Sequence, residues 1–179
     1  APHMAFNQRR LIMRAFINSQ FNYCPLVWMF CSRRLNHKIN RIHERALRTV
    51  YNDDHSSFEE LLLKDNAVTV HIKNIQALAI EIYKVVNDIS PEIMKLVFPM
   101  KDVRRYPGEN IFTTRNVHST HYGTSSLSHL APKVWKILPP ELKNISSIEL
   151  FKLRIKSWNP KNCPCKLCKT YACRIGYID

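Results

Sequence analysis

Glycine and acidic side chains are both scarce in this 179-residue chain: three Gly in all, and 14 Asp and Glu against 27 Lys and Arg. So few glycines leave no Gly-rich loop to cradle a phosphate. No apolar run approaches the roughly 18 residues that cross a bilayer, so a soluble chain is expected. Low-complexity tracts and internal repeats are missing as well. No recognised motif joins a Ser or Cys nucleophile to its activating base, and the eight histidines are scattered. His118 and His121 are close, yet sit in a polar stretch with no carboxylate placed to complete a triad. Residues 1–4, "APHM", read as a cloning remnant. No signal peptide is read after it, and the start inside a helical pattern leads to the expectation of a fragment of a longer protein.

What is present points to a folded, helical, cationic chain. The 45% hydrophobic content argues against disorder, and the length suits one domain or one domain with an appended module. The net charge of +13 is uneven. Residues 1–50 hold nine Lys and Arg against one acid, residues 51–100 four against eight, and residues 150–179 seven against one. Basic ends around an acidic middle suggest a polyanionic partner, nucleic acid before an anionic membrane.

Apolar spacing is mostly helical. It predicts helices over "FNQRRLIMRAFINSQ", over "YCPLVWMFC" with Pro25 in the first turn, and from Arg33 to Val50. The apolar stripe of that third helix reads as Leu35, Ile39, Ile42, Ala46 and Val50. Ser56 with Glu59 reads as a capping box opening "SSFEELLL", Thr69 as the cap of "VHIKNIQALAIEIYKVVN", and Ser90-Pro91 as the start of a short helix to about Phe98. Residues 99–127 are polar and predict loop with short extended pieces. Short helices are then predicted around "PKVWKIL" and "SSIELFKLRIKSW". The expected fold is mainly α. It divides into a remnant at 1–4, a helical region at 5–98, a polar loop with a short irregular or hairpin insertion at 99–127, short helices at 128–158, and a cysteine-rich tail at 159–179.

Three stretches carry chemistry. "YNDD" at 51–54 matches the metal-binding signature of polymerase palms, but it lies between helical patterns, not on a strand turn. Two adjacent acids without a third carboxylate cannot hold two Mg²⁺ ions, so an interhelical turn is the expectation. A nuclease built on Asp53, Asp54 and His55 is the enzyme-class alternative, and no active site is expected.

The second stretch is the helix at 33–50. Arg34, Lys38, Arg41, Arg45 and Arg48 recur at steps of four and three, so they line one face, about 100° around from the predicted apolar stripe. This row spans about 20 Å, the scale of several successive phosphates, and only Glu44 can pair within the helix. Lys152, Lys156, Lys166 and Lys169, with Arg154, Lys161 and Arg174, form a second basic region in which Tyr171 could stack on bases. Trp28, Trp135 and Trp158 are expected to be core.

Third, "CPCKLCKTYAC" places Cys163, Cys165, Cys168 and Cys173 within eleven residues. Such close pairs make poor disulfides, and no strand–helix context supports a redox pair. Tetrahedral thiolate Zn²⁺ is the best account, with Lys166 and Lys169 offsetting charge. The fourth ligand stays open among Cys173, Cys31 and Cys24.

Six stretches in order, "MRAFINSQFNYCPLVWMFCSRRLNHKINRIHERALRTVYND", "SSFEELLLKD", "IQALAIEIYKV", "YGTSSLSHLAPKVWKILPPELKN", "FKLRIKSW" and "CPCKLCKTY…IGYI", resemble the C-terminal part of non-LTR retrotransposon reverse transcriptases. The resemblance covers nearly the whole chain after residue 5. It implies thumb and post-thumb segments that help hold template RNA and target DNA during target-primed reverse transcription, alongside an upstream polymerase domain and without either catalytic centre. It implies an intracellular protein, cytoplasmic during assembly and nuclear at its site of action. In that family the CPC-x2-C triplet tends to be kept, many members lack a cysteine matching Cys173, and His often stands where this chain has Cys31. The resemblance therefore implies a structural zinc held by Cys163, Cys165, Cys168 and Cys31, with Cys173 as runner-up. The alternative function is a structural or protein-interaction module that buttresses the polymerase.

Overall fold

The computed structural model describes residues 4–101, 111–113, 123 and 125–160. The fold is mainly α, as expected. The chain forms two compact units, Ala1–Asn74 and Ile75–Asp179. Among the described residues, no helix is long and apolar enough to cross a membrane.

In the first unit, α1 (Phe6–Ile12), a π-helical segment (Met13–Asn18) and α2 (Ser19–Asn22) run on without a break. The π-helical turns are a departure from the plain helix the periodicity predicts. A short α3 (Pro25–Trp28) has Pro25 in its first turn, where a missing N–H costs nothing. The long helix α4 (Arg33–Tyr51) is capped by Ser32, whose Oγ accepts from the Leu35 N–H at 3.4 Å. Next comes α5 (Phe58–Lys64), and the unit ends in the first turns of α6 (Val70–Val86).

With so few glycines, helix ends use other residues for left-handed turns. Asn52 (φ 51°), Asn66 (φ 49°) and Asp88 (φ 55°) come after α4, α5 and α6. Their short polar side chains make that conformation tolerable in an L-residue.

Met13, Leu47, Val50, Leu61 and Leu62 form the core of the first unit, with Ile17, Ala46, Tyr51, Phe58 and Ala67 against it. Arg10 closes one side through Asp65 at 2.9 Å, and the Tyr51 hydroxyl bonds the same carboxylate at 3.1 Å.

Two local expectations are corrected by the structure. The capping box is Ser57 with Glu60, not Ser56 with Glu59: Ser57 Oγ accepts from the Glu60 N–H (3.3 Å), and Glu60 Oε2 from the Ser57 N–H (2.8 Å). Both serines have a Glu three residues on, and Asp53 decides between them by accepting the Ser56 hydroxyl at 2.6 Å. The apolar stripe of α4 is also displaced. Its buried residues are Asn36, His43, Leu47 and Val50, whereas Leu35 and Ile42 are 50% and 48% exposed. Counting aliphatics alone misses a buried imidazole and a buried amide, and their inclusion turns the core face by most of a quarter turn.

In the second unit, the remainder of α6 buries Ile75, Leu78, Ala79, Ile82, Tyr83 and Val85. At its start Thr69 caps as expected, accepting from the Ile72 N–H at 3.3 Å. α7 (Ile93–Val97) begins later than Ser90-Pro91 suggests, and Ser90 makes no cap. Of the expected extended pieces, one antiparallel bridge is described, Met100 to Phe112. α8 (Leu127–Ile137) starts one residue before the expected 128–158 stretch of short helices, and Ser126 caps it by accepting from the His129 N–H. A further short helix, α9 (Pro140–Lys143), is not foreseen by the periodicity, and α10 (Ile148–Ile155) falls inside its predicted segment. The Tyr83 ring stacks on Phe151 at 4.1 Å, and its hydroxyl donates to the Ile145 carbonyl at 2.5 Å. Gln76 holds the end of α10, donating to the Trp158 carbonyl at 2.8 Å. Trp135 is buried as expected, whereas Trp28 and Trp158 are half-buried.

Candidate nucleic-acid interface

The displaced core face of α4 changes the meaning of its charges. At about 100° per residue, the centre of the buried set lies about 170° from the centre of the cationic row. The row therefore stands opposite the core instead of beside it. Arg34, Lys38, Arg41 and Arg45 are exposed, and none has an ion-pair partner among the described residues. Arg48 differs. It is half-buried, pairs with Glu44 at 2.7 Å, and donates to the Asp53 carbonyl at 3.3 Å. The one acid of α4 is thus spent on the last cation, and the other four are exposed with no acid paired to them among the described residues.

What orients α4 is His43, which residue hydropathy does not single out. It is fully buried, with its ring edge-on to Phe21 at 5.8 Å and Phe58 at 5.7 Å. Neither ring nitrogen has a hydrogen-bond partner among the described residues. Burial, reinforced by the Lys73 ammonium and opposed by Asp65, pushes its pKa down to about 4. His43 is thus a neutral aromatic core residue at neutral pH. Its place four before Leu47 and seven before Val50 is the signal of this in the sequence.

In the "YNDD" stretch Tyr51 ends α4, and Asn52, Asp53 and Asp54 form the turn after it, as expected. Asn52 takes the left-handed position, and the Asp53 carboxylate accepts from the Ser56 hydroxyl, the Ser56 and His55 N–H groups, and Lys64. The Lys64 bond, followed by the Ser56 bonds, holds the Asp53 carboxyl well below the ordinary carboxylate range. Its lone pairs are committed to the loop that joins α4 to α5. Asp54 and His55 are exposed.

In the second unit, Lys152, Arg154 and Lys156 are exposed on and just after α10, whose core face is Phe151 and Ile155. Lys166, Lys169, Tyr171, Cys163, Cys165, Cys168 and Cys173 lie outside the described residues. Cys31 is half-buried and makes no disulfide, and burial pushes its thiol pKa up. Its carbonyl accepts from Asn36 Nδ2 at 3.0 Å, which fixes the backbone just before α4. Among the described residues, no three His, Cys, Asp or Glu side chains are grouped to hold a metal ion. Comparison with known proteins finds no family model, curated protein or solved structure that matches the chain.

Proposed function

We propose that the chain is a nucleic-acid-binding C-terminal region of a non-LTR retrotransposon reverse transcriptase. In this reading it holds template RNA, target DNA or both, and is not catalytic alone. The observation that supports this reading is the row of four cations on α4, without ion pairs among the described residues and set opposite the core face. Each side chain offers a point or fork donor to phosphate, and in this reading the four grip backbone and carry little sequence information. The exposed Lys152 and Lys156 add cationic surface in the second unit. The family assignment rests on the six ordered stretches of sequence.

The test is the salt dependence of binding to labelled RNA and DNA. With four or five phosphates neutralised, a fourfold rise in salt should weaken binding on the order of a hundredfold. A flat salt profile removes the reading.

The same proposal includes a structural zinc. Three ligands, Cys163, Cys165 and Cys168, would be joined by Cys31 or Cys173. Cys31 suits the chemistry: it is unbridged and half-buried, and its raised pKa disfavours a bare thiolate, a cost that coordination to a cation relieves. Metal analysis should give about one Zn²⁺ per chain. Cys31→Ser should lose it if Cys31 is the fourth ligand, whereas loss on Cys173→Ser with retention in Cys31→Ser assigns the site to the tail.

A further inference from the structure

Leu35 and Ile42 are each about half exposed, although both were expected in the core. They lie seven residues apart, about 10 Å along α4, on the shoulder between the core face and the cationic row. Each has cations at the preceding position and three residues on: Arg34 and Lys38 around Leu35, Arg41 and Arg45 around Ile42. The same unit, cation–aliphatic–x–x–cation, is thus presented twice. α10, in the second unit, independently shows a related composition, with Leu150 (43%) and Leu153 (64%) exposed among Lys152, Arg154 and Lys156.

Phosphate binding needs the cations and has no use for the aliphatics. In a duplex the base faces are stacked on one another and the grooves offer edges, so Leu35 and Ile42 would meet little apolar surface. A single strand offers free base faces, and laying one on an aliphatic side chain while its phosphate meets the neighbouring cation removes apolar area from both. An anionic bilayer is a poorer match. Two aliphatics on a shoulder do not make the broad apolar face of an in-plane helix, and the opposite side of α4 is committed to the core.

We infer that the α4 shoulder selects single-stranded over duplex nucleic acid, with Leu35 and Ile42 as the platforms for unstacked bases. This rests on the nucleic-acid reading above and names its substrate class.

The experiment compares a labelled single-stranded RNA with a hairpin of the same length, using the full chain and its Leu35→Gln/Ile42→Gln variant. Glutamine keeps helix propensity, and circular dichroism with thermal melting checks the fold. Single-strand affinity should fall about fivefold in the variant, short of the loss seen at aromatic platforms, while hairpin affinity changes less than about twofold. Leu35→Ala/Ile42→Ala should fall in between. Equal affinity of the unaltered chain for the two RNAs, or a variant with unchanged discrimination, overturns the inference alone. Binding to neither RNA, nor to single-stranded or duplex DNA of the same length, overturns the nucleic-acid reading as well. Vesicles containing phosphatidylserine, bound by the unaltered chain and released by the variant whose RNA affinities are unchanged, would assign the shoulder to a membrane surface and overturn it too.

Discussion

Reversing Arg34, Lys38, Arg41 and Arg45 to glutamate should abolish measurable nucleic-acid binding while the chain stays folded. The folding half of this expectation comes from position. All four side chains are exposed, opposite the buried face of α4, and without ion pairs among the described residues. Substitutions at such sites usually change stability by no more than about 0.5 kcal/mol each. The binding half comes from counterion release. Neutralising the four with glutamine should flatten the slope of log K against log salt by about 3 to 4 units, and glutamate adds repulsion along the same line. Arg48→Gln provides the internal control. Because Arg48 is held by Glu44 and the Asp53 carbonyl, its loss should weaken the turn after α4 more than it weakens binding. Fluorescence anisotropy across a salt series, beside thermal melts, reads both. Binding retained in the glutamate variant, with its salt slope intact, would remove α4 from the interface.

Acid should loosen the first unit through His43. Its folded pKa, about 4, lies below the ordinary histidine value of 6.5. The unfolded chain therefore binds the proton first, and stability rises with pH across that interval. The contribution is fully present above about pH 6.5 and is lost progressively as pH falls toward 4, amounting to about 3 kcal/mol at about 1.4 kcal/mol per unit. Burial between Phe21 and Phe58 is the main cause, and Lys73 adds like-charge repulsion that Asp65 partly offsets. His43→Leu keeps an apolar side chain at the site and should flatten the pH dependence. Amide exchange of α4 at neutral and mildly acidic pH reads the first unit directly. Parallel pH profiles for the two proteins would mean that folding does not shift the His43 pKa, and would remove this account. Because His43 and the cationic row share α4 on opposite sides, loosening by acid should also reduce binding.

The cationic row was legible in the residue spacing, because charge repeats of three and four need only helical periodicity to become a face. Its setting was not. The same periodicity placed Leu35 and Ile42 inward, and they are half exposed; it passed over His43 and Asn36, which are buried. Hydropathy ranks histidine and asparagine as surface residues, yet an imidazole with two phenyl rings against it packs as an aromatic. The capping box shows the same limit at shorter range. Ser56–Glu59 and Ser57–Glu60 are equivalent on paper, and Asp53 breaks the tie by taking the Ser56 hydroxyl.

Helical class, the caps at Thr69 and Ser126, and the alignment of five cations arise from local rules, since the groups that decide them lie within one or two turns of each other. Which way α4 faces does not. That depends on Phe21, Phe58, Met13 and Leu61, which are remote in sequence and come together through packing. Their arrangement selects the His43 side of the helix as core, and so sets four cations opposite it and leaves two aliphatics at the edge.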